Sequence, residues 1–164
     1  MGECQAISCM LQLPKRRGRR FALLGLSVFW VVAGVNHFVS PDFYVPMMPP
    51  YLPGHLELVY LSGAFEILGG ILVLVPRVRA MAGWGLVALL LAIFPANIHM
   101  ALSPELFPDM STGALYGRLP FQAVFLAWAY WATRPEVVES AEQSELTVVM
   151  GLIEELSERA GAGN

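Results

Sequence analysis

Charge is scarce in this chain. Acidic and basic residues make up only 14% of it, and 56% is hydrophobic. A soluble domain carries about 25% charged residues, so an ordinary water-facing surface is excluded. Cysteine is almost missing. Cys4 and Cys9 both precede the first hydrophobic run, which excludes a disulfide framework, and their spacing is weak as a metal signature. Catalytic signatures are missing too: there is no nucleophile elbow, phosphate loop, dinucleotide fingerprint, zincin motif or haem-attachment motif. No Cys-x-x-Cys follows the first span, so thiol–disulfide exchange is disfavoured. The first run lacks an A-x-A cleavage site and is expected to stay as a signal anchor. The start Met1-Gly2-Glu3-Cys4-Gln5-Ala6 lacks the Ser/Thr of a myristoylation site, and Met10 is an alternative start.

What is present is a set of long apolar runs. Span one covers Phe21 to about Val39, and span two about Glu57 to Val75, closed by Pro76. Span three covers Ala80 to about Leu102, and span four about Leu119 to Thr133, closed by Arg134-Pro135. The fourth is short for a requirement of ~20 residues unless it begins near Ala114 with Pro120 inside. The expected fold is all-α: a four-transmembrane-helix bundle over 21–134, between a basic head at 1–20 and an acidic tail at 135–164.

The basic residues orient it. With the N-terminus in the cytoplasm, the inner segments hold Lys15, Arg16, Arg17, Arg19, Arg20, Arg77, Arg79, Arg134 and Arg159, and the outer loops hold only Arg118. That asymmetry places both termini in the cytoplasm. The head cluster Lys15–Arg20 abuts a span, so it reads as a topology signal in preference to a nucleic-acid contact.

The outer segment 40–56 contains Pro41, Pro46, Pro49, Pro50 and Pro53. Five prolines forbid a regular helix and favour stiff turns, and Phe43, Tyr44 and Tyr51 suit a membrane interface. The segment is expected to cap the outer end of the bundle. In the tail, Leu146, Val149, Met150, Ile153 and Leu156 recur at helical spacing beside Glu145, Glu154, Glu155 and Glu158. This predicts a short amphipathic cytosolic helix over about 144–159. Its acidity should keep it off anionic lipid and suit self-association or a protein partner.

The exits of spans one and three resemble each other. Asn36-His37 is followed by Ser40-Pro41-Asp42-Phe43, and Asn97 and His99 by Ser103-Pro104-Glu105 and Phe107. Two helical hairpins related by a parallel repeat would explain this. Ser-Pro-acid is also an ordinary break between elements.

Glu66 is the single charge in the run Leu58–Val75, where a carboxylate must face protein or water. Ser62, Gly63, Gly69 and Gly70 lie three and four residues away and suit close helix contact. The plain reading is a buried structural acid, and the sharper one is a proton, cation or ligand site. Pro95 frees the carbonyl of Leu91, next to Asn97 and His99. The candidate pocket is therefore Glu66, Asn97, His99 and His37. The histidines lie nearer the outer surface than Glu66, roughly 13 Å into its helix at ~1.5 Å per residue, so water or a ligand is expected to bridge them. His37, His55 and His99, with Met47, Met48, Met100, Met110 and Glu57, form a soft set suited to copper, but no spacing is a metal signature. Methionine filling gaps and histidine at helix ends explains the same residues.

Four patterns together resemble the DoxX-like membrane proteins. They are Gly34-x-x-His37-Phe38-x-x-Pro41, Met48-Pro49-x-x-Leu52-Pro53, Ser62-Gly63-x-x-Glu66-Ile67-Leu68-Gly69-Gly70, and Phe94-Pro95-Ala96-Asn97-Ile98-x-Met100. The resemblance covers about 21–133 and leaves out head and tail. It implies a small bacterial four-helix protein of the cytoplasmic membrane. The family takes its name from a subunit of quinone-linked thiosulfate oxidation in archaea, and other members resemble accessory parts of membrane redox or oxidative-stress systems. The expected function is an accessory, non-catalytic subunit of a membrane redox system, with quinone as the cofactor to consider and redox proteins or self-association as partners. The alternatives are a quinone- or small-molecule-binding oxidoreductase subunit, and a small transporter or assembly chaperone.

Overall fold

The computed structural model describes residues 13–14, 16–135 and 144–155. Both cysteines, Met10, Lys15 and Leu156 lie outside the described residues. The chain divides into two units, Met1–Arg134 and Pro135–Asn164. It is all-helical, with no strand among the described residues.

The first unit is built on four long helices: α1 (Arg17–Val39), α2 (His55–Leu72), α3 (Arg79–Leu102) and α4 (Thr112–Thr133). α1 packs mainly on α2 and α3 on α4, with lesser α2–α3 and α1–α4 contacts closing the ring. The first seam follows a seven-residue spacing. α1 buries Leu23, Leu26, Ser27, Trp30, Gly34 and His37. α2 buries Val59, Gly63, Glu66 and Gly70. Such a seam keeps facing its partner over many turns. Between apolar surfaces in lipid the association rests on close packing, which small residues permit. A Cβ on Gly34 would stand 2.5 Å from the Gly63 carbonyl oxygen, and one on Gly63 2.7 Å from the Cβ of His37. The small face of α2 is shared between two neighbours. Gly70 abuts the Ser27 carbonyl of α1, and Gly69 abuts Leu86 of α3.

The two hairpins leave their first helices alike. Ser40 caps α1 at φ −134°, ψ 59°, and its amide donates to the Asn36 carbonyl. Ser103 caps α3 at φ −127°, ψ 56°, donating to the His99 carbonyl. Proline then opens a short helical turn in each, Pro41–Tyr44 and Pro104–Leu106. His37 and His99 lie in the last turns, where a polar donor complements the helix dipole.

Segment 40–54 forms a lid. One helical turn and the 3-10 turn Val45–Met47 lead to Gly54, whose φ of +66° suits glycine at the entry to α2. Met47 is buried with Met100, Phe107 and Leu115. Pro41 and Pro46 thus stand in short helical turns, where no helix was expected, because each sits in a first turn where no amide is required. At the opposite end, Arg19 donates to the Ala132 carbonyl (3.2 Å) and Trp128 to that of Ala22 (3.1 Å), joining α1 to α4. Arg79 donates to the Val73 carbonyl (2.9 Å), so Arg19 and Arg79 both bond carbonyls at helix ends.

Three helices, α1, α2 and α3, are long and apolar enough to cross a membrane, with mean hydropathy 1.8, 1.3 and 2.0. Four were expected, and this is a correction. α4 has the length, 22 residues beginning at Thr112 with Pro120 inside, so it follows the alternative start near Ala114 and not the one near Leu119. Its first half carries Gly113, Gly117, Arg118, Pro120 and Gln122, which lower its hydropathy. Ser111 explains the earlier start: its hydroxyl accepts the Ala114 amide, an N-cap. In the second unit, residues 144–155 form a helix whose side chains, Leu146, Val149, Met150 and Ile153 included, are exposed.

Gly63→Ala should lower stability by about 1–3 kcal/mol through overpacking, read as a drop in unfolding midpoint in detergent. Gly117→Ala is the control. No atom lies within 4 Å of a Cβ there, so the midpoint should hold or rise slightly.

Candidate functional site

The close approach at Gly34 and Gly63 brings His37 against Glu66. Nδ1 of His37 lies 3.4 Å from Oε2 of Glu66. Both residues are buried, at 7% and 4% exposure. Neither of these atoms has a hydrogen-bond partner: the two stand close without hydrogen-bonding geometry between them.

The lid covers the pair. The Tyr44 ring lies 3.9 Å, centroid to centroid, from that of His37. The Asn36 amide donates to the Tyr44 hydroxyl oxygen (2.8 Å) and holds the ring in place.

A second polar pair joins the other hairpin. Asn97 Nδ2 donates to Gln122 Oε1 (2.8 Å), and Gln122 Nε2 donates to the Leu90 carbonyl. Pro95 removes the amide that would bond Leu91, and the side-chain donor meets the adjacent carbonyl. Closer to the lid, four residues from Gln122 on α4, Arg118 points at two thioethers, Met47 Sδ (4.0 Å) and Met110 Sδ (3.9 Å).

The four residues singled out by sequence thus fall into three places. His37 and Glu66 touch. Asn97 is engaged with Gln122, and His99 stands edge-on to Phe107 at 6.4 Å. Among the described residues, neither Asn97 nor His99 hydrogen-bonds to the pair. The expected gap between Glu66 and the histidines is closed for His37, because α2 overhangs α1. Gly63 packs at His37 eight residues into α2, so α2 continues about 12 Å beyond that level. Tyr44, Gln122 and Arg118 were not singled out. A lone amide in an apolar helix and the single basic residue of the outer segments were the available signals. No three His, Cys, Asp or Glu side chains converge as metal ligands among the described residues.

Glu66→Gln should keep the bundle within about 1–2 kcal/mol of wild type, since an amide of the same size keeps a polar group against His37. Glu66→Leu leaves the imidazole buried with no partner and should cost about 3 kcal/mol or more. Unfolding midpoints of the two variants, measured side by side, check the order. Equal midpoints would show that the contact carries nothing.

Comparison with known proteins adds one relationship. No curated protein and no solved structure matches the chain. The family model DUF8561, a domain of unknown function, matches residues 26–133, from the middle of α1 to the end of α4. That stretch holds the His37–Glu66 pair, the lid, the Asn97–Gln122 pair and Arg118, and the chain belongs to the DUF8561 family.

Proposed function

We propose that this protein is an accessory, non-catalytic subunit of a membrane redox system, in the manner of the DoxX-like proteins it resembles. In this reading it spans the bacterial cytoplasmic membrane four times with both ends in the cytoplasm. The observation that carries the accessory role is the helix at 144–155. Its apolar side chains Leu146, Val149, Met150 and Ile153 stand exposed beside Glu145, Glu154 and Glu155. An exposed apolar stripe with acidic flanks suits a protein partner.

The fourth crossing is supported by how α4 lies on α3. Gly83 abuts Thr133 at one end, Leu90 and Asn97 meet Gln122 in the middle, and Met100 packs with Leu115 at the other. A helix paired along the whole of a membrane-spanning partner crosses with it. Its polar groups face protein, as lipid requires. The matching exits at Ser40 and Ser103 support the parallel repeat of two hairpins.

A second reading has its own observation. The buried pair His37–Glu66 can take up or release a proton next to a reducible small molecule such as a quinone. This favours a ligand-binding oxidoreductase subunit over a transporter or chaperone.

Reporter fusions after positions 50, 78, 110 and 140 should read outside, inside, outside, inside. A cytoplasmic reading at 50 would overturn the orientation. Truncation after Pro135 should leave insertion intact and release a flavin-, haem- or quinone-bearing partner that co-purifies with the full chain from gently solubilised membranes. Full-length protein running alone would refute the accessory role. A quinone retained by the purified chain itself would favour the second reading.

A further inference from the structure

Among the described residues, Arg118 is a cation without an anionic partner. Its side chain is partly withdrawn from solvent between lid and bundle, and its hydrogen-bond contacts are the thioether sulfurs of Met47 and Met110, at 4.0 and 3.9 Å. Thioethers are weak acceptors, and a guanidinium carries five N–H donors in a planar fork. None of the ion pairs or hydrogen bonds among the described residues brings it a carboxylate. A guanidinium taken from water without an opposing charge is costly, and an oxyanion would offset that cost.

A second donor stands nearby. Tyr44 packs against the same cluster as Met110, around Met47, Met100, Phe107 and Leu115, and Arg118 reaches both Met47 and Met110. The Tyr44 oxygen accepts from Asn36, which leaves its own proton to give. No acceptor among the described residues takes that proton. The methionines, Phe107 and Leu115 around these groups are apolar. One corner of the fold therefore holds donors on two elements, the lid and α4, and among the described residues only sulfur accepts from Arg118. What completes it is a ligand that accepts only. A planar fork suits a carboxylate or a phosphate, and at the end of membrane-spanning helices phosphate oxygens are abundant.

We propose that Arg118 and Tyr44 form a binding site for a phosphate-type oxyanion at the lid end of the bundle, with Met47 and Met110 as its apolar walls. The anion comes from a phospholipid headgroup or from a soluble phosphate. Because Met47 and Tyr44 belong to the lid, a bound anion also holds the lid shut. This site shares no residue with His37–Glu66 and does not depend on the redox reading.

The test uses the full-length protein in a neutral detergent. One arm titrates inorganic phosphate against chloride at equal ionic strength. The other titrates phosphatidylglycerol against an uncharged diacylglycerol. The readouts are the unfolding midpoint and protease cutting between Phe43 and Tyr51. A saturable rise in midpoint with slower cutting, in either arm, is the expected result, and the arm that responds names the source. Tyr44→Phe keeps the ring on His37 and should weaken the response about tenfold or more, the size of one hydrogen bond to a charged group. Arg118→Met keeps an unbranched apolar chain among the methionines and should abolish the response while matching or exceeding wild-type stability without anion. Arg118→Lys keeps the charge without the fork and should respond weakly. No rise in either arm, or an equal rise in Arg118→Met, would overturn the site.

Discussion

The close contact of α1 and α2 at Gly34 and Gly63 is the constraint on which the rest depends. With hydrogen atoms for side chains, the two backbones approach until the Gly63 carbonyl stands 2.5 Å from where a Gly34 Cβ would be. That distance sets the register of the whole seam. It puts Gly70 against Ser27, and His37 against Glu66. A wider seam would leave both titratable groups facing a gap. The hydrophobic effect cannot favour this arrangement between lipid-facing helices, so packing and the buried polar contact must.

Polar groups in the first unit are consequently arranged between helices. His37–Glu66 joins the first hairpin, Asn97–Gln122 the second, and Arg19 and Trp128 tie α1 to α4. The faces turned outward are apolar: Val28, Val32 and Val35 on α1, and Phe65, Leu68 and Ile71 on α2, are exposed. A soluble bundle would invert this pattern. The lid then covers the His37–Glu66 pair with an aromatic ring, which leaves Tyr44 between His37 and the methionine cluster beside Arg118.

Much of this was legible in the sequence for simple reasons. Apolar runs bounded by proline and arginine mark α1, α2 and α3 to within a few residues. One carboxylate among small residues marks Glu66 as interior. The lid was legible from its prolines, although its short helical turns were not, because proline in a first turn looks the same as proline in a loop. What escaped was relative height. Residue spacing gives depth within one helix but not the offset between two, so the overhang of α2 and the direct His37 contact could not be read. The same limit hid the partners of Asn97 and His99. α4 was the hardest, since its first turns, with Gly113, Gly117 and Arg118, read as either loop or helix until α3 is beside them.

The account stands on His37 and Glu66 acting as one buried unit. A double-mutant cycle with His37→Phe and Glu66→Leu, followed by reversible unfolding in detergent, measures that coupling directly. The account predicts a coupling energy above about 1 kcal/mol, with the double variant losing much less than the sum of the single losses. Additive losses, within about 0.5 kcal/mol, would mean that the two side chains are buried neighbours without a working interaction, and would contradict it.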